Sequence, residues 1–118
     1  MFSLKEFIQS IAYAIRGLKY TFQEEQSFRI QSLVALIVII LMFYFPTTRL
    51  EKAILLMMII IVLALELINT ISEDILDIVE PNFQPKVQVI KDTMAAAVIL
   101  SAFGALIIGL IILFPYFQ

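Results

Sequence analysis

Uncharged, mostly apolar residues fill three stretches of the chain: Ile30 to Thr48, Ala53 to Leu65, and Thr93 to the C-terminus. The first, IQSLVALIVIILMFYFPTT, is nineteen residues long, close to the roughly 20 needed to cross the hydrocarbon of a bilayer. Pro46 with Thr47 and Thr48 is a turn signal that closes this helix. The second stretch, AILLMMIIIVLAL, has thirteen residues and is too short alone. It continues through LINTIS, so a span of normal length carries Glu66 inside it. The third runs twenty-six residues without a charge and includes Gly104 and Gly109, which membrane helices tolerate. The pattern predicts three transmembrane helices, near 29–46, 50–72 and 92–115.

Residues 1–27 follow another rhythm. Leu4, Phe7, Ile8, Ile11, Ile15, Leu18 and Phe22 recur at spacings of three and four, and Lys5, Glu6, Gln9, Arg16 and Lys19 fall largely between them. Charges of both signs and the lack of a continuous apolar core do not fit a signal peptide. An amphipathic helix lying in the lipid interface is expected; a helix packed on the protein's own core is the blander reading. The fold class is therefore all-α integral membrane, an N-terminal amphipathic interface helix plus three transmembrane helices. It makes one domain over 1–118: interface helix 1–27, first span 29–46, second span with a cytoplasmic extension 50–78, cytoplasmic loop 79–90, and third span 91–115.

Composition agrees. Of 118 residues, 62% are hydrophobic and 15% charged, against about 45–50% and about 25% in ordinary soluble chains. Mean hydropathy is +1.01. A soluble chain this short has too little interior to hide that much apolar surface. Eight basic and ten acidic residues give a formal charge of −2, which excludes nucleic acid as a partner. With no Cys and no His, disulfides, thiolate or imidazole catalysis and zinc sites of the usual ligand types are excluded.

Orientation follows from Lys and Arg. Lys5, Arg16, Lys19, Arg29, Lys86 and Lys91 fall on one side of the membrane, and Arg49 and Lys52 on the other. The N-terminus and the loop after the second span are expected in the cytoplasm, with the C-terminus outside. Every acid except Glu51 lies on or toward the cytoplasmic side.

Glu66, Asn69, Glu73 and Asp77 are spaced by three, four and four. On a helix they share an arc of roughly 80°. Glu73 belongs near the interface, and Glu66 lies roughly 10 Å deeper. A carboxylate at that depth costs a few kcal/mol by insertion scales, and such residues normally face a bundle interior or wet cavity and serve function. The alternative is that Glu66 and Asn69 are hydrogen-bonding glue between helices, which suits Asn69 taken alone.

Glu25, at the end of the interface helix, and Glu73 can offer oxygen ligands to Mg²⁺, which usually takes one or two protein carboxylates and completes its shell with substrate phosphates. Lys91 can neutralise phosphate charge, and Glu66 can accept a proton from a hydroxyl presented out of the membrane. This is a layout for phosphoryl transfer, with the donor on the wet side and the acceptor in the lipid; positioning and charge stabilisation dominate such reactions. No glycine-rich phosphate loop exists among Gly17, Gly104 and Gly109.

Three segments carry a family resemblance: RGLKYTFQEEQSFRI at 16–30, ELINTISEDILD at 66–77, and IKDTMAAAV at 90–98. Their order and separations resemble those of the small prokaryotic integral-membrane diacylglycerol kinases and the related undecaprenol kinases, over nearly the whole chain. The resemblance implies a lipid kinase that depends on ATP and Mg²⁺ and works as a homotrimer with shared sites. It puts Glu66 at the position of the catalytic base, and Glu25 and Glu73 at the metal-ligand positions. Tyr13, Lys91 and Asp92 take nucleotide-contacting positions together with Glu25 and Glu73, and Asn82, Phe83 and Gln84 occupy the loop that contacts ATP. Asn69 supports the site, while Arg16, Lys19, Phe28 and Arg29 match the region where the lipid alcohol enters.

Some positions depart from the family. Ile71-Ser72 stands where Ala-Ile is common, with Glu73 still in register. Gln84 replaces a frequent His, between Pro81 and Pro85. Glu6 stands where some members carry a basic nucleotide contact. The Phe-Arg-Ile run and the absence of Trp incline toward undecaprenol over diacylglycerol as acceptor. Two other readings compete: a proton- or ion-handling membrane subunit using Glu66, and a structural subunit whose polar stripe binds another membrane protein.

Overall fold

A computed structural model describes all residues, Met1–Gln118. The chain is entirely helical: α1 is Leu4–Glu24, α2 Gln26–Tyr44, α3 Arg49–Val79 and α4 Pro85–Leu113, with a 3₁₀ turn over Phe114–Phe117. Three helices, α2, α3 and α4 with its terminal turn, are long and apolar enough to cross a membrane. The protein is a multi-pass membrane protein. α3 packs along α4 and, less extensively, along α2, while α1 touches α2.

Local chemistry sets the ends. Ser3 caps α1, accepting from the Glu6 N–H at 3.4 Å. α3 opens on a capping box: the Glu51 N–H donates to Thr48 Oγ1 at 3.1 Å, and the Thr48 N–H donates to Glu51 Oε1 at 2.9 Å, which satisfies two otherwise orphaned donors. Pro46 follows the C-cap Phe45, where a helix cannot continue. At the other end of α3, the link to α4 is only residues 80–84, shorter than the expected loop over 79–90. Pro85 begins α4 at once, since its fixed φ and missing N–H suit a first helical position. α2 likewise starts at Gln26, ahead of 29.

At 31 residues, α3 is about 46 Å long and outruns the roughly 30 Å hydrocarbon layer. Only 11 of 118 residues are buried in the single chain, and side chains such as Ile60 and Leu100 are 66% and 74% exposed. That is the surface of a protein solvated by lipid, where close packing rather than water exclusion joins helices. The tightest contact is Met42, Leu55 and Leu113, backed by Val38, Leu41 and Ile112. Beside it the Phe45 ring stacks on Tyr116 at 5.6 Å and meets Phe117 edge-on at 4.9 Å. The Tyr116 hydroxyl donates to Glu51 Oε1 at 2.5 Å. This end of the bundle is clamped; the opposite end carries the acids other than Glu51.

Candidate functional site

The corner between α1 and α2 is one residue, Glu25, in extended conformation (φ −113°, ψ 110°). Its N–H donates to Thr21 O at 2.8 Å. Arg29 reaches back from α2 and donates through Nη1 to Phe22 O at 2.9 Å and Gln23 O at 2.8 Å. These are among the final carbonyls of α1, which have no partner inside the helix. Phe28 is buried beside it. Arg29 thereby ties α2 to the end of α1 at the corner that carries Glu25.

Glu66 is 3% exposed. It lies on α3 and faces α2, where Ser27 Oγ donates to its Oε1 at 2.7 Å. It lines a cavity of about 320 Å³ with Ser27, Gln31, Val98, Ala102 and Phe103. A deep carboxylate is thus turned into the bundle, as its cost requires. One turn on, Thr70 is buried and donates to Glu66 O at 3.0 Å. Asn69 Nδ2 donates to Glu73 Oε1 at 3.4 Å, and Asn69 Oδ1 is buried with no partner. A buried acceptor left open is costly, and here it lies beside a carboxylate.

Partial burial, and then the negative charges of Glu73, Asp74, Glu66 and Glu24, push the Glu25 carboxyl above its ordinary value. Acids from three places in the sequence therefore crowd this corner. No three acidic side chains converge closely enough to hold a metal ion by themselves. Glu25 and Glu73 are a mutually repelling pair with no cationic side chain bonded to either, which is a donor set that fits a hard cation completed by phosphate oxygens.

Lys91 Nζ lies 2.5 Å from Asp77 Oδ1, joining α4 to the polar stripe of α3. Asp92 accepts from Gln88 Nε2 at 2.8 Å. Gln84 caps α4 through its backbone, with no side-chain bond, and Phe83 is exposed in the link beside Asn82. Tyr13, Arg16 and Lys19 are exposed on α1, with the Arg16 guanidinium 5.4 Å from the Tyr13 ring centre. None of these three bonds to an acid, whereas Glu25, Glu66, Asn69, Glu73, Asp77 and Lys91 are linked by charge or hydrogen bonds.

Ser27 was not among the residues expected at the site. Its only signal is a hydroxyl two positions after Glu25, in the first turn of a membrane helix.

A family model described as prokaryotic diacylglycerol kinase matches residues 12–113. The chain is similar to the diacylglycerol kinase of a Synechocystis species, at 32% identity over 90% of this chain and 61% of that protein. It therefore spans under two thirds of that relative's length. It is also similar to the undecaprenol kinase of Bacillus subtilis, at 32% identity over 95% of this chain and 91% of that protein. The chain belongs to the prokaryotic diacylglycerol kinase family, whose named relatives here are lipid kinases.

Proposed function

We propose that this protein is a lipid kinase that uses ATP and Mg²⁺ to phosphorylate the hydroxyl of a membrane lipid alcohol, undecaprenol in preference to diacylglycerol. The observation that carries the reading is Glu66: a carboxylate turned into a cavity between membrane helices, on the same helical stripe as a crowded acidic pair nearer the membrane surface.

In this reading Glu66 accepts the proton of the acceptor hydroxyl. The oxygen so freed bonds to the γ-phosphorus of ATP, and the bond from that phosphorus to the bridging oxygen of ADP breaks. Glu25 and Glu73 hold Mg²⁺, which when bound neutralises phosphate charge. Asn69 keeps the Glu73 carboxylate oriented through its amide. Lys91 and Asp92, with Asn82, Phe83, Gln84 and Tyr13, contact the nucleotide, and Arg16, Lys19, Phe28 and Arg29 line the way in for the lipid. Helix α1 lies in the cytoplasmic interface, the C-terminus is outside, and the whole chain acts as one domain in a homotrimer with shared sites.

Purified protein in detergent with Mg²⁺, ATP and a long-chain lipid alcohol tests this. Phosphorylated lipid is expected from the parent and none from Glu66→Gln, with the oligomer intact. A Glu66→Gln protein that falls apart supports the glue reading instead.

A further inference from the structure

The geometry points to Ser27 as a positioning residue for the base: its hydroxyl fixes one oxygen of Glu66 so that the other faces the acceptor. The inference rests on the lipid-kinase reading above.

Glu66 makes one side-chain hydrogen bond in the chain, from Ser27 Oγ to Oε1 at 2.7 Å. That length is typical of a hydroxyl donating to a carboxylate. Oε2 makes none, yet the sole fully buried, unpartnered side-chain polar atom in the protein is Asn69 Oδ1. Oε2 therefore retains what little accessible surface this 3%-exposed residue has, and the residue lines the cavity of about 320 Å³ between α2, α3 and α4. One oxygen is anchored and its twin is available.

The bond also ties two parts of the site together. Ser27 stands two residues beyond Glu25 in the first turn of α2, and Glu66 lies thirty-nine positions away on α3. The bond thus adds a polar tie between the first turn of α2 and the base on α3, where the two helices already pack. A carboxylate free to turn about its last torsions spends less time in the geometry that receives the hydroxyl proton, and misplacement of a catalytic group is expensive. Ser27 is otherwise exposed, so losing its hydroxyl removes this bond without hollowing a core.

The test is Ser27→Ala and Ser27→Thr, in the full chain in lipid bicelles. Losing one hydrogen bond to a charged group predicts a kcat about 10–100-fold lower in Ser27→Ala. KM for ATP and half-saturating Mg²⁺ should stay within about twofold, with unchanged thermal melting. Ser27→Thr, which keeps the donor, should restore most of kcat. In carbon-13 spectra the Glu66 carboxyl resonance, identified by its loss in Glu66→Gln, should shift in Ser27→Ala and stay in place in Ser27→Thr. An unchanged kcat in Ser27→Ala overturns the inference, as does an unshifted resonance or equal losses in both variants. A parent without kinase activity overturns the function and the positioning role together, and the resonance shift then remains as a purely structural bond.

Discussion

Lys91 and Asp77 meet across α4 and α3, ammonium to carboxylate at 2.5 Å, with the two side chains 27% and 64% exposed. A pair this open to solvent adds little to stability. Its consequence is that the cation expected to greet phosphate already has a carboxylate partner. Asp77→Asn should therefore leave melting unchanged and lower KM for ATP several-fold, while Lys91→Ala raises it about tenfold or more. Steady-state kinetics with ATP as the varied substrate check both.

Glu25 and Glu73 are assigned one task, and their removal should look alike. Glu25→Gln and Glu73→Gln should raise the Mg²⁺ needed for half-maximal activity about tenfold or more, with KM for the lipid nearly constant. Magnesium titrations that coincide with the parent's in both variants remove these residues from the metal site.

The crowding around Glu25 carries a pH signature. Its carboxyl titrates above its ordinary value in the folded chain, first through burial and then through Glu73, Asp74, Glu66 and Glu24. The neutral form is the one folding favours. Its contribution is fully present below the unfolded value and disappears as pH rises through the folded value. In metal-free buffer the melting temperature should thus fall as pH rises across that window. Glu25→Gln should flatten the slope, and Mg²⁺ should offset it in the parent by binding the folded state. Calorimetric melts at a series of pH values, with and without Mg²⁺, measure this.

The far end of the bundle supplies a control. Tyr116→Phe removes the bond to Glu51 and leaves the ring stacked on Phe45. Melting should drop by about 2–5 °C with kinase activity intact. A loss of activity without a loss of stability would tie this end to the chemistry.

The spans and the polar stripe were legible in the chain, the first from the length of uncharged runs and the second from helical periodicity. A run of nineteen uncharged residues has few other uses, and Glu66, Asn69, Glu73 and Asp77 must share a face on any helix. Contacts between helices were not legible. Ser27 reaches Glu66 across thirty-nine positions, and only the packing of α2 on α3 decides which of several polar residues near 27 faces it. Arg29 shows the same limit: its two bonds to the carbonyls that end α1 depend on the corner at Glu25 and leave no mark in the sequence. Helix α4 begins at Pro85, ahead of the uncharged run after Asp92, because Pro85 is a natural first helical residue and run length marks the apolar span rather than the helix.

Whether Glu66 is the base is decided by transfer of the labelled γ-phosphate of ATP to lipid by the purified protein in Mg²⁺, with undecaprenol and diacylglycerol side by side, for the parent and Glu66→Gln. Labelled lipid is expected from the parent, more with undecaprenol, and a loss of at least about 100-fold in the variant with its assembly state unchanged. Label reaching neither lipid, or transfer by Glu66→Gln at the parent's rate, would contradict it.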